Sequence, residues 1–180
     1  MDAYVAGDAR AFSRLFASLG PSVHAFFRRA FADRTVVDDL VQTTFLKIHR
    51  GRAAYRSGCP LRPWVFTIAA HVRLDELRRR YRLPAHADED AIDAAERAQA
   101  PMGEQAGTTE SEVTEAVRRA IGRLPPSQRA VIHLHRYEQL SFAEIARALG
   151  TTEGAIKLRA FRAYEALRRE LGPLLGPERA

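Results

Sequence analysis

Residues 141–156, Ser141-Phe142-Ala143-Glu144-Ile145-Ala146-Arg147-Ala148-Leu149-Gly150-Thr151-Thr152-Glu153-Gly154-Ala155-Ile156, hold two helix starts on either side of one break. Ser141 and Glu144 have capping-box spacing, in which each side chain meets the other residue's backbone N–H. Gly150 breaks the pattern, and a new helix starts at Thr151 or Thr152. Ala146, Gly150 and Ile156 have helix-turn-helix spacing: the small residue lets two helices approach, glycine makes the turn, and isoleucine packs the second helix back. Ile145, Leu149, Ile156, Ala160, Ala163 and Leu167 extend that buried stripe. Lys157, Arg159 and Arg162 lie off it, where a recognition helix presents cations to a major groove. The plain alternative is a helical hairpin with a solvated basic face.

Outward from this stretch the period is helical throughout. Helices are expected over 113–124, ended by Pro125-Pro126, then over 127–137, 141–149 and 152–171. In the first half, Phe12, Leu15, Phe16 and Leu19 mark a helix that Gly20-Pro21 ends. Val23, Phe26, Phe27 and Ala30 mark a second, capped by Ser22. Val37, Val41, Phe45 and Ile48 line a third, closed by Gly51. A loop over 55–63 leads to a fourth, over 64–80. The fold class is all-α.

The chain has 180 residues, with 28 Lys+Arg against 22 Asp+Glu and a formal charge of +6. Its charge is uneven. Residues 85–116 hold nine acids and one base, Arg97, which leaves a net +14 for the flanks. Few large apolar residues occur there, so the stretch reads as a flexible acidic linker unable to offset its ordering entropy. It is either a self-repelling spacer or a mimic of nucleic acid inside a basic channel. The organisation expected is a helical domain over 1–83, a linker over 84–111, a helical domain over 112–172 and a tail over 173–180.

Several classes are set aside. Cys59 is alone, so a disulfide scaffold is excluded. The first residues lack a basic flank and apolar run, so no secretory signal is expected, and no segment approaches the ~18 apolar residues of a membrane span. A soluble, cytoplasmic protein is expected. His133 and His135 are two apart and diverge, so they do not form a metal pair. No nucleophile, acid/base pair or phosphate loop is found, and no enzyme activity, cofactor, metal or small-molecule substrate is expected.

In the first half, Asp38, Asp39, Gln42 and Lys47 turn outward from the third helix. Acids in a first turn suit the helix dipole, but an acidic patch on a basic chain also suits a basic protein surface. On the fourth helix, Thr67, His71, Asp75 and Arg78 form a polar stripe beside Arg79, Arg80 and Arg82. That stripe, with Tyr55 near it, suits single-stranded nucleic acid. Trp64 and Phe66 also suit base stacking beside that stripe; at helical spacing the stronger reading for them is core.

These residues carry a resemblance. Asp38-Asp39-Leu40-Val41-Gln42-Thr43-Thr44-Phe45-Leu46 resembles the polymerase-binding segment of bacterial sigma factors. Leu61-Arg62-Pro63-Trp64-Val65-Phe66-Thr67-Ile68-Ala69 with Leu74-Asp75-Glu76-Leu77-Arg78-Arg79-Arg80 resembles the minus-ten-binding segment that follows. Leu124-Pro125-Pro126-Ser127-Gln128-Arg129, Glu144-Ile145-Ala146 and Gly154-Ala155-Ile156-Lys157 resemble the region that binds the minus-35 element. The resemblance spans residues 7–82 and 112–171 and is to the minimal, extracytoplasmic-function (ECF) type of sigma factor.

The resemblance implies a function. Asp38, Asp39, Gln42 and Thr43 would bind core RNA polymerase. Tyr55, Arg62, Thr67, His71, Arg78 and Arg79 would hold melted minus-ten promoter DNA. Thr152, Glu153, Gly154, Lys157, Leu158, Phe161 and Arg162 would read minus-35 duplex. The linker would thread the RNA-exit path, and an anti-sigma factor, membrane-anchored in many systems, would be a partner. Two positions depart from the family pattern: His71 stands where Asn is usual, and Leu158 where a small polar residue is common. Two rival readings are a stand-alone helix-turn-helix repressor, dimeric on a palindrome, and a sigma mimic that sequesters an anti-sigma factor.

Overall fold

The computed structural model describes residues 1–5, 7–99 and 112–175. Its elements are α1 (Asp2–Val5), α2 (Ala9–Arg28), α3 (Arg34–Gly51), a single 3-10 turn (Arg52–Ala54), α4 (Leu61–Tyr81), α5 (Glu89–Gln99), α6 (Glu112–Arg123), α7 (Pro126–Arg136), α8 (Phe142–Leu149) and α9 (Glu153–Leu175). No strand occurs among the described residues.

Where two helices are expected over residues 12–30, one forms. Helix α2 runs through Gly20-Pro21. An interior proline costs roughly 3 kcal/mol, but Leu19, Val23, Phe26 and Phe27 on the same helix are 0–3% exposed. Burying each such side chain returns about 1.5–3 kcal/mol, so packing outweighs the lost hydrogen bond. Asp33 caps α3, accepting from the N–H of Thr35 at 2.9 Å. Helix α4 starts three residues before the expected position, so the loop ends at Pro60. Helix α9 runs past the expected end at 171 to Leu175.

The helix-turn-helix forms as its spacing requires. Ser141 and Glu144 make both bonds of the capping box, and Gly150 takes the left-handed conformation, φ 65°, that closes α8. Thr152 starts α9, its hydroxyl accepting from the N–H of Ala155 at 3.2 Å. Ile145, Leu149, Ile156, Ala160 and Ala163 are buried, while Leu167 is half-buried.

One apolar core joins the two halves. Phe27, Val37, Phe45, Phe66, Ala69 and Leu77 share it with Val131, Leu134, Ile145, Leu149 and Ile156. Helix α8 lies along α4. Across the same junction, the His133 ring sits 5.2 Å from Phe26 and 6.5 Å from Phe66, centroid to centroid.

Part of the acidic stretch is helical. Residues 89–99 form α5, whose Ile92 is fully buried in the common core. The expectation that this segment buries too little to offset its ordering entropy overlooked two sources of compensation. Ile92 and Ala87 supply apolar contacts, and the acids find cations and helix N–H groups on the flanking helices. Residues 100–111 of the expected linker, and residues 176–180 of the expected tail, lie outside the described residues.

Candidate nucleic-acid interface

The acids of α5 are placed at helical spacing, so successive ones meet different neighbours. Glu89 accepts from Nη1 of Arg73 on α4 at 3.0 Å. Asp90 pairs with Arg159 on α9 at 3.2 Å. Asp93 accepts from the backbone N–H of Ser127 at 2.9 Å and from its hydroxyl at 2.5 Å. Glu96 lies 3.6 Å from Arg129 on α7.

The Asp93 contact has a clear cause. Pro125 and Pro126 open α7 and offer no side-chain cap, yet a helix start has N–H groups needing acceptors. A carboxylate from α5 fills that need and meets the positive end of the helix dipole. Burial raises the Asp93 carboxyl pKa all the same, with the Ser127 bonds acting in the opposite direction. Glu96 is likewise raised by burial, against the pull of Arg129. Arg129 is lowered by burial; its guanidinium also donates to the carbonyls of Arg29 and Leu124 at 3.0 and 2.9 Å.

A second polar cluster lies at the turn after α7. Arg62 on α4 pairs with Glu138, whose other oxygen is 3.2 Å from Nε2 of His133. His133 and Glu138 are 2% and 4% exposed. Burial lowers the His133 pKa, and Nδ1 of its ring has no partner. Burial alone would raise Glu138, but hydrogen bonds from His133 and Arg62 bring it below the ordinary range.

The residues expected to bind partners fall into three groups. On α3, Asp38, Asp39, Gln42 and Thr43 are exposed together, with Leu46 next along the helix at 45% exposure. His24 of α2 lies 3.6 Å from Asp38. Thr152, just before α9, and Glu153, Gly154, Lys157, Leu158, Phe161 and Arg162 on it are all exposed. Arg159, read from the sequence as part of that basic face, is turned to α5 and is 11% exposed. Its position, one residue before buried Ala160, directs it to the flank rather than the outer face.

The α4 group is less uniform. His71 and Arg79 are exposed, though Arg79 pairs with Glu76 at 2.7 Å. Thr67 donates to the carbonyl of Pro63 at 2.7 Å. Arg78 donates to the carbonyl of Ala87 at 2.8 Å and is half-buried. Tyr55, expected to face a melted strand, is instead 9% exposed. Its ring meets Trp64 edge-on at 5.3 Å and its hydroxyl donates to the carbonyl of Cys59, so here it shapes the loop. Phe66 is core, as its spacing indicates.

Arg73, Glu89, Asp93, Ser127, His133 and Glu138 were not singled out from the sequence as a group. One signal was present: Arg73 interrupts the otherwise apolar run Ala69, Ala70, Val72, Leu74 and Leu77, and a cation there needs a buried partner. Which acid supplies it depends on the tertiary fold.

Comparison with known proteins gives the same order of parts. The family model described as Sigma-70 region 2 matches residues 15–83, and that described as Sigma-70, region 4 matches residues 114–167. The chain is 34% identical to RNA polymerase sigma factor CarQ of Myxococcus xanthus, covering 97% of each chain. It is 35% identical to ECF RNA polymerase sigma factor SigM of Mycobacterium tuberculosis, over 96% of this chain and 83% of that protein. In fold it is similar to the sigma factor RpoE of Bartonella quintana, solved in complex with the anti-sigma factor NepR. That likeness has a TM-score of 0.70 at 22% identity, over 91% of this chain and 98% of that one. Two sigma regions in sequence order, with relatives matched along nearly their whole length, place this chain in the ECF sigma factors, the alternative sigma factors that direct RNA polymerase to promoters.

Proposed function

We propose that each of three exposed faces has one task in promoter-directed transcription initiation. The α3 face, with Asp38, Asp39, Gln42 and Thr43, binds a basic surface of core RNA polymerase. Helix α4 and the loop before it hold the melted minus-ten strand through Arg62, Thr67, His71, Arg78 and Arg79, with Tyr55 supporting the loop. The outer face of α9, from Thr152 to Arg162, reads the minus-35 duplex. The working units are residues 1–83 and 112–172.

The observation that carries this reading is the separation of charge by face. The exposed acids of α3 lie on one helix, while Lys157 and Arg162 lie on another and Arg79 and Arg80 on a third. A protein that met only DNA would gain nothing from the α3 acids, and one that met only a basic protein would gain nothing from the cations. The chain makes and breaks no bonds itself and acts in the cytoplasm; no helix described here is long and apolar enough to cross a membrane.

An anti-sigma factor is a further partner in this reading. The sigma factor RpoE, to which this chain is similar in fold, was solved with the anti-sigma factor NepR bound.

The test is binding to bacterial core RNA polymerase, followed by run-off transcription from a randomised promoter pool. One-to-one binding with enrichment of a minus-ten and a minus-35 element is expected. Failure to bind core, with a dimer forming on palindromic duplex, would replace this reading with the repressor.

A further inference from the structure

We infer that Leu158 makes the minus-35 reading depend on the 5-methyl groups of thymine. The inference rests on the assignment of α9 as the duplex-reading helix and adds what that helix selects.

The outer face of α9 has an unusual centre. Leu158 and Phe161 are 48% and 63% exposed, one turn apart, on a helix whose Ile156, Ala160 and Ala163 are buried. At about 100° per residue, Gly154, Phe161 and Leu158 fall within a sector of roughly 60°. Lys157 lies about 40° to one side of it and Arg162 about 40° to the other. Gly154 has no side chain, so nothing polar enters the sector at its start. Glu165 closes it further along, paired with Arg168 at 2.6 Å. An apolar strip flanked by a cation on each edge matches a helix lying in a major groove, with phosphates on both sides and base edges beneath. Lys157 is paired with Glu153 at 2.7 Å, an exposed i,i+4 contact and so a weak one. It can exchange that partner for a phosphate.

The chemistry of the strip restricts what lies under it. Amino, carbonyl and ring-nitrogen edges covered by leucine or phenylalanine lose water and gain no partner, which is costly. The apolar group that the major groove of unmodified DNA presents is the C5-methyl of thymine. The charge on both edges favours DNA over an apolar protein segment as the occupant.

The test uses holoenzyme, formed from core RNA polymerase and the full chain. A minus-35 element is first enriched from a randomised duplex pool. Each thymine in it is then replaced singly by deoxyuridine, which differs only by the methyl. At one or two positions the wild-type holoenzyme should bind about fourfold more weakly, the factor corresponding to ~0.8 kcal/mol for one buried methyl group. Leu158→Ser should bring one of those ratios close to one, and Phe161→Ser another. Both side chains are exposed, so both variants should fold. An enriched element with no thymine sensitive to deoxyuridine, or a sensitivity that Leu158→Ser leaves unchanged, overturns the inference and leaves the pair as a face for an apolar protein partner. Failure to form holoenzyme or to enrich any element would overturn the function proposed above as well.

Discussion

Arg73 and Glu89 form an ion pair at 3.0 Å with side chains 2% and 3% exposed, and so link α4 to the acidic helix that follows it. The second terminal nitrogen of Arg73 donates to the carbonyl of Pro126 at 2.7 Å, which brings the start of α7 into the same contact. One guanidinium thus touches three helices that the sequence assigns to two domains and a linker. Oε2 of Glu89 has no hydrogen-bond partner, so the pair is only partly compensated.

Removing one member should therefore cost more than removing both. Arg73→Ala leaves a buried carboxylate without its cation and is expected to lower stability by about 3–5 kcal/mol. Arg73→Met combined with Glu89→Leu should recover most of that loss. Denaturant unfolding of the full chain measures both; equal losses in the single and double variants would show that shape rather than charge sets the cost.

His133 gives the protein an acid sensitivity of definite sign. Its pKa is lowered by burial, so the unfolded chain takes up the proton first. Stability from this group is complete above the ordinary histidine value of 6.5 and falls as pH drops from there toward the lowered one. Asp93 and Glu96, raised by burial, act the other way, losing stability as pH rises through their own range. The thermal midpoint of wild type minus that of His133→Gln should decrease between about pH 7.5 and 5.5. A flat difference would show that His133 keeps its proton count on unfolding.

Arg162→Ala should weaken binding to minus-35 duplex and reduce the slope of log affinity against log salt by about one unit. Arg159→Ala, whose guanidinium faces Asp90, should leave that slope nearly unchanged. A salt titration with both variants separates an outer-face cation from a flank cation.

Asp39→Ala should weaken binding to core polymerase while leaving the salt slope on isolated duplex intact. Asp39 is exposed, so its replacement leaves the core alone. Parallel loss of both activities would indicate a folding defect in place of a lost contact.

Cys59 is the single cysteine and is exposed, which makes it a labelling site on the loop before α4. A second cysteine at exposed Arg136, at the end of α7, allows a donor and acceptor to report the distance between the halves. Energy transfer should be high in the free protein and fall on binding core polymerase and promoter DNA. Unchanged transfer would mean that the two halves stay docked in the working complex.

Much of this was legible in the residues. The capping box, the glycine turn and the buried stripe of α8 and α9 are local, set by contacts between residues a few positions apart, and the sequence reading placed them within a residue or two. Helix α2 shows the limit: Gly20-Pro21 is a strong local stop signal, and only the tertiary burial of residues on both sides overrides it. Helix α5 shows a second limit. Glu89, Asp93 and Glu96 look like solvated charge until Arg73, Ser127 and Arg129, 16 to 34 positions away, supply their partners. The outer faces of α3 and α9 were readable because exposure follows directly from helical period. Arg159 was misassigned because being off the buried stripe does not say which neighbour a side chain meets.

Arg62 introduces a competition. Its guanidinium is held by Glu138, an interior carboxylate of the other half, and the proposed role of Arg62 is to hold a phosphate strand. It cannot serve both anions at once. Promoter engagement and the docked arrangement are then linked equilibria, and whatever stabilises one disfavours the other by the same free energy. If docking leaves about one molecule in a hundred able to bind, the apparent dissociation constant is about a hundredfold above the intrinsic one. Substitutions that weaken the junction without touching DNA would therefore register as tighter promoter binding.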